Sequence, residues 1–252
     1  MNAPYSILAA FYDRLGTHLN FDAYADFVLD AVKKNGAYCD GILLDLACGT
    51  GALTSALIAK GADVVAIDGS AEMLSEAGTR LMNEGKHALL LNQDMREFEL
   101  YGSIDAVVCA TDSLNYLTED GDLAKCFALV HNYLIPDGLF IFDVNTKKKF
   151  TEVYGDESYV FDDGDVFCTW QNDFDPQSGI CDFLLTFFVK NQKGLWQRYE
   201  ESQVEKYHST ETLSTLLSEA GFEILGVYSD FAGKAACEED LRHYYVCKNI
   251  KK

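Results

Sequence analysis

The sequence predicts an α/β fold in which a doubly wound, mostly parallel sheet carries an antiparallel β subdomain inserted late in the chain. Three observations predict it. Between residues 42 and 144, short apolar runs rich in β-branched residues alternate with amphipathic helical runs, the pattern of a parallel sheet covered on both faces. After Thr146 the hydrophobic period becomes two, with glycine-containing turns between long runs. From about residue 208 the helical period returns and two further strands follow. The predicted organisation is a core of residues 1–146 and 208–252 and an inserted β layer, a substrate lid, of residues 147–207.

Taken in order, Phe21, Tyr24, Phe27, Val28, Ala31 and Val32 recur at helical spacing, and Asn35-Gly36 supplies a stop. Strand Ile42–Leu46 is followed by a helix near Gly51–Lys60, and strand Val64–Ile67 by a helix near Ala71–Asn83. Strand Ile104–Cys109 leads to a helix near Asp120–Leu134, and strand Leu139–Val144 closes the series. The insertion reads as strands Tyr159–Phe161, Val166–Phe174, Ile180–Lys190 and Leu195–Lys206. The turns Asp175-Pro176-Gln177-Ser178-Gly179 and Asn191-Gln192-Lys193-Gly194 make the last three a meander. Leu213, Leu216, Leu217 and Ala220 form a helix ended by Gly221, before strands Phe222–Tyr228 and Tyr244–Lys248. Ligands of open α/β sheets bind outside the carboxyl ends of the strands, so an insertion arriving there roofs the pocket. Most of its aromatic residues, Tyr154, Tyr159, Trp170, Trp196 and Tyr199 among them, are expected to pack the β layer and the remainder to shape an acceptor site.

The stretch Asp45-Leu46-Ala47-Cys48-Gly49-Thr50-Gly51 ends a strand in an acid and a two-glycine turn that opens a helix. Such a turn lets a ligand approach bare backbone, and the helix start offers unpaired N–H groups. A dinucleotide fingerprint needs a third glycine where Thr54 stands, and an acid beside a pyrophosphate would repel it. A cationic adenosine-like ligand tolerates Asp45. Asp68 closes the next apolar run, Val64 to Ile67, and is placed to accept hydrogen bonds from two ribose hydroxyls. These features point to S-adenosylmethionine.

Further segments follow: Asp68-Gly69-Ser70-Ala71-Glu72-Met73-Leu74, Gln93-Asp94-Met95-Arg96, Ile104-Asp105-Ala106-Val107-Val108 with Asp112-Ser113-Leu114-Asn115-Tyr116, and Pro136-Asp137-Gly138 before the next strand. In this order they resemble the class I S-adenosylmethionine-dependent methyltransferases, over residues 40–146 and again from about 208. Tyr5, Ala9, Tyr12, Asp13 and Leu15 fit a pattern found at the start of bacterial small-molecule members, amino-sugar and glycine N-methyltransferases included. The resemblance implies a Rossmann-like sheet. It also implies cofactor contacts from Gly49 and Gly51 through backbone, from Asp68 and Gly69 at the ribose, and from Met73 on the adenine face. Asp94 and Met95 would hold the adenine amino group, Tyr12 would cover the methionine end, and Asp45 would orient the glycine turn.

Methyl transfer from a sulfonium needs the acceptor atom, methyl carbon and sulfur in line and water excluded; it needs no metal for an amine acceptor. The candidates to orient an acceptor are Asp112, Asn115 and Tyr116, which follow the fourth strand; Asp112 would take a hydrogen bond or proton from an ammonium. His208 is a weaker candidate base, and His131 reads as structural.

The 20 basic and 40 acidic residues give a net charge of −20, which disfavours nucleic acid and anionic membrane partners. The basic run Lys147-Lys148-Lys149 reads as a solvated loop. Eight cysteines without a C-x-x-C spacing, and the lack of a leader-like start or long apolar run, predict a cytoplasmic protein without structural zinc. The expected activity is methyl transfer from S-adenosylmethionine to a small molecule, an amine among the candidates. Two alternatives stay open: a cofactor-binding sensor or partner subunit without turnover and, less favoured, an NAD-dependent oxidoreductase.

Overall fold

The structure, a computed structural model, describes residues 7–15, 19–35 and 41–251. Tyr5 of the N-terminal pattern, Gly36 of the helix stop and Cys39 lie outside the described residues.

After a short helix α1 (Leu8–Phe11), α2 (Phe21–Lys34) is capped by the Asn20 side chain, which accepts from the Ala23 N–H; Asp22 in its first turn and Lys33 and Lys34 in its last complement the helix dipole. The core then runs β1 (Ile42–Leu46), α3 (Ala52–Ala59), β2 (Asp63–Asp68), α4 (Ala71–Asn83), β3 (Leu89–Asn92), β4 (Ile104–Cys109), α5 (Asp122–Tyr133) and β5 (Leu134–Asn145). A second sheet holds β6 (Ser158–Asp162), β7 (Val166–Asp175), β8 (Ile180–Lys190) and β9 (Trp196–Lys206). Helix α6 (Thr210–Glu219), capped by Ser209, leads to β10 (Phe222–Tyr228) and β11 (Arg242–Asn249).

The main sheet has seven strands in the order β10-β11-β5-β4-β1-β2-β3; β1 to β5 are mutually parallel and β11 is antiparallel to both its neighbours. One face packs on α5 and α6 through Phe127, Phe140, Phe142 and Leu217, the other on α2 and α3 through Tyr24, Val28, Leu57 and Val108. That double covering is why the strands read as continuous apolar runs. The second sheet is wholly antiparallel, and its inner face packs against α1 and a π-helical turn at Lys149–Tyr154 through Leu8, Phe150, Tyr154, Phe183 and Phe187.

Three elements differ from the sequence reading. The edge strand β3 was not anticipated: it is four residues long, with Leu89 58% exposed, and shows no alternation. Strand β5 begins at Leu134, five residues before the expected start at Leu139, because Pro136-Asp137-Gly138 forms a register shift inside the strand, with Asp137 at φ 62°. Strand β11 begins at Arg242, and this sets Arg242 opposite Asn145.

The glycine turn imposes a sharp steric test. Gly51 has φ 73°, and a Cβ there would sit 2.9 Å from the Ala77 Cβ of α4. Gly51→Ala is therefore expected to cost about 1–3 kcal/mol through left-handed strain and overpacking, read as a lower denaturation midpoint. An unchanged midpoint would mean that α3 and α4 separate freely.

Candidate active site

A cavity of about 360 Å³ opens at the carboxyl ends of β1, β2 and β4. Its floor is the turn after β1, where Ala47, Gly49 and Gly51 have φ of 60°, 55° and 73°. A Cβ at Gly49 would meet nothing within 4 Å, so backbone is presented directly to the cavity. The Cys48 N–H donates to the Ile67 carbonyl at 2.9 Å and ties this turn to β2. Asp68 completes the tie: its two oxygens accept from the Gly49 and Ser70 N–H groups, each at 2.8 Å, and burial raises its carboxyl above the usual range. Ser70 caps α4 by accepting from the Met73 N–H, and this sets the buried Met73 side chain against the cavity.

Thr54 is fully buried and its hydroxyl donates to Asp45. The residue that broke the dinucleotide pattern thus holds the acid beneath the turn. Burial pushes Asp45 up to about 7, so the carboxyl sits where a nearby cation favours its charged form. Across the cavity, Asp94, Met95 and Arg96 form one wall; the Arg96 side chain pairs with both Asp94 and Asp122 and lowers the Asp94 carboxyl.

Tyr12 closes the opposite wall. Its segment is held on the glycine turn by Asp13, which accepts from the Thr50 hydroxyl at 2.9 Å and pairs with Arg80. It is held on the second sheet by Glu201 of β9, which accepts from the Ile7 and Leu8 N–H groups at 3.1 Å. Tyr12 is partly buried and faced by Asp112, Arg242 and Glu205, and burial raises its hydroxyl above the usual range.

Behind Tyr12 lies a buried polar cluster. Thr111 and Asp112, just after β4, have φ of 57° and 55°, a left-handed pair without glycine. Asp143 of β5 holds them: one oxygen accepts from the Thr111 N–H at 2.8 Å and the Tyr24 hydroxyl at 2.7 Å, and the other accepts from the Asp112 N–H at 2.9 Å and from Arg242. Arg242 also donates to Asp112 at 3.1 Å. The Asn145 amide N–H₂ is shared among Asp112 at 2.7 Å, Glu205 at 3.0 Å and the Tyr154 hydroxyl at 3.2 Å, while its oxygen accepts from the Lys149 ammonium at 3.0 Å.

Of the residues expected from sequence, Tyr12, Asp45, Gly49, Asp68, Gly69, Met73, Asp94, Met95 and Tyr116 line this cavity. Gly51 shapes the turn without lining it. Asp112 and Asn115 do not line it either. Burial raises the Asp112 carboxyl, but the Arg242 and Lys149 charges outweigh this and hold it below the usual range, ionised and already committed. Asn115 is fully buried, donating to the Lys206 carbonyl and accepting from the Asn145 N–H, so it fastens the turn to β5 and β9. His208 is buried away from the cavity and pushed down to about 4 by burial. Lys149, expected in a solvated loop, turns its ammonium inward, 5.1 Å from the Tyr154 ring. Sequence reasoning missed Asn145, Lys149, Glu205 and Arg242. The one available signal was Glu201-x-Gln203-x-Glu205, three polar residues that occupy the inward positions of β9 and are all buried.

A buried acid under a bare glycine turn, a second acid at the end of the next strand and an apolar face opposite fit a cationic adenosyl ligand and define a methyltransferase-type site. Comparison with known proteins agrees. Residues 43–138 match the family model described as a methyltransferase domain. The chain is 33% identical over 250 residues to YqeM of Bacillus subtilis (strain 168), covering 98% of each chain. It is 27% identical over 227 residues to a glycine/sarcosine N-methyltransferase of Halorhodospira halochloris, covering 88% of this chain and 80% of that one. It superimposes on the crystal structure of an S-adenosylmethionine-dependent methyltransferase from Clostridium acetobutylicum ATCC 824 with a TM-score of 0.87 at 31% identity, covering 97% of this chain and 98% of that one. The chain belongs to the S-adenosylmethionine-dependent methyltransferases, and S-adenosylmethionine is its cofactor. Among the described residues, no helix is long and apolar enough to cross a membrane, and no group of three or more His, Cys, Asp or Glu is placed to hold a metal.

Proposed function

We propose that the protein transfers the methyl group of S-adenosylmethionine to an amine nitrogen of a small molecule. The observation that supports this most directly is the buried cluster that faces Tyr12, in which three carboxylates, Asp112, Asp143 and Glu205, meet two cations, Arg242 and Lys149, so that one further cation completes the charge balance. The Halorhodospira relative is named for N-methylation of glycine and sarcosine, which favours the same reading.

In this reading the Gly49 backbone and the Asp68 carboxylate hold the adenosine, with Met73 against the base, Asp94 and Met95 at its edge and Asp45 beneath the turn. Gly51 sets the course of the turn, Gly69 the approach at the ribose, and Tyr12 and Tyr116 enclose the methionine end. When bound, S-adenosylmethionine supplies an electrophilic methyl on a neutral leaving group. The residues of the chain orient the acceptor, exclude water and accept its proton. The insertion of residues 147–207 acts as the acceptor lid: its β9 joins the carboxyl-end turn after β4 through Asn115, yet none of its residues lines the cofactor cavity.

Incubating the protein with methyl-labelled S-adenosylmethionine and an amine panel that includes glycine, sarcosine and amino sugars is expected to give labelled N-methyl products. Label only on hydroxyl oxygens would overturn the amine reading. Tight cofactor binding without any labelled product from cell extracts would favour a sensor without turnover.

A further inference from the structure

We propose that Glu205 of the inserted sheet receives the acceptor's proton, and that the acceptor's ammonium group supplies the one positive charge that the buried cluster lacks. This rests on the amine reading above.

The charge count carries the inference. Asp112, Asp143 and Glu205 bring three carboxylates to the carboxyl end of β4 and β5, against two cations, Arg242 and Lys149. Glu205 is 2% exposed and Asp143 fully buried. An unpaired buried charge is costly, so the cluster holds either a proton or a further cation. Arg242 is spent on Asp143 and Asp112. The Lys149 ammonium is bonded to the Asn145 oxygen rather than to a carboxylate. Glu205 accepts from the Asn145 amide, a neutral donor, and has no ion pair among the described residues. It is therefore the carboxyl that carries the proton. Burial and the Asp112 charge push it up to about 8, against the opposing pull of Lys149, Asn145 and Arg242. Tyr12, Tyr154 and Cys181 face it from the remaining elements, and all three are held neutral by burial.

The site is placed for transfer because Tyr12, which lines the cofactor cavity together with Thr111, is faced by Asp112, Arg242 and Glu205 of the cluster. An acceptor entering beside Tyr12 brings R–NH₃⁺ to the cluster, and Glu205 gives up its resting proton to solvent. Within the complex the ammonium N–H bond then breaks, its proton passes to the Glu205 carboxylate, and the nitrogen keeps the electron pair. That pair forms the new C–N bond as the C–S bond breaks, with the departing pair staying on sulfur. The product is R–NH₂CH₃⁺ with a neutral thioether. As it leaves, the Glu205 proton remains to restore the resting state, so one proton is released per turnover.

Two measurements test this. The first needs no acceptor. A folded-state pKa above the unfolded value means that the native protein holds a proton the unfolded chain has lost between about 4.5 and about 8. Stability contributed by that proton is present below this window and falls as pH rises through it. Glu205→Gln is isosteric and cannot titrate, so its melting temperature relative to wild type is expected to rise from about pH 5 to about pH 8 and then stay level. A difference independent of pH would overturn the assignment. The second uses the amine methylated in the labelled screen: Glu205→Gln is expected to lower kcat at least tenfold at neutral pH, with the loss shrinking as pH frees the amine. Calorimetry of that amine with the wild type at neutral pH is expected to show release of about one proton, absent in the variant. Amine methylation with an unchanged pH profile in Glu205→Gln overturns this proposal alone, whereas methylation confined to hydroxyls overturns the amine reading with it.

Discussion

A folded Asp68→Ala variant is expected to bind S-adenosylmethionine about 10–150-fold more weakly, the equivalent of about 1.5–3 kcal/mol for a hydrogen bond to a charged group. The carboxylate acts in two directions. Outward, its oxygens accept from the Gly49 and Ser70 N–H groups and fix the glycine turn against the start of α4. Inward, Asp68 lines the cavity, and the remaining lone pair on each oxygen is what the proposed ribose contact uses. Alanine removes both functions and frees the Gly49 N–H into the cavity. Asp68→Asn, which keeps one acceptor oxygen but turns N–H₂ toward a backbone N–H, should fall between the two. Titration calorimetry with S-adenosylmethionine and with S-adenosylhomocysteine checks this; an unchanged affinity in a folded Asp68→Ala protein would remove Asp68 from the site.

Asp68 was readable in the sequence because everything it needs is local. A strand, an acid, a turn residue and a helix cap follow one another from Val64 to Ser70, and each step has its own propensity signal. The same holds for the glycine turn, for the hairpins of the second sheet and for most strand limits. What escaped was set by pairing over distance. Arg242 reaches Asp112 across 130 residues and Asn145 reaches Glu205 across 60, and no period or motif announces either contact. The start of β11 was misplaced by two residues, and this hid Arg242 as a strand residue facing Asn145. Asp112 drew notice because it follows the fourth strand, but its chemistry depends on Arg242. A free acid there could take a proton; a carboxylate paired with a guanidinium holds its charge. The proton-holding role therefore moves to Glu205, a residue with no distinguishing local pattern beyond an inward polar stripe.

Arg242→Met is expected to destabilise the protein by about 3–5 kcal/mol, the scale for removing one partner of a buried ion pair. The side chain is 15% exposed and is the guanidinium that forks between Asp112 and Asp143, the acids that pin the left-handed Thr111–Asp112 turn. Without it two adjacent carboxylates face each other in a buried space, and the strained turn loses its external tie. Arg242→Lys should recover part of the loss, because one ammonium cannot present a planar fork to two carboxylates. The pH dependence distinguishes charge from packing. In the wild type the lowered Asp112 carboxyl contributes stability that is present above its unfolded pKa and is lost as pH falls through the folded value. In Arg242→Met burial is no longer opposed by that charge, the folded pKa rises, and stability instead falls as pH climbs through the carboxylate range. The gap between wild type and variant should therefore be small near pH 4 and widen toward pH 7. Denaturant midpoints at the two pH values measure it. A gap of equal size at both would assign Arg242 to packing alone and leave the left-handed turn to be held by the Asp143 hydrogen bonds without help from charge.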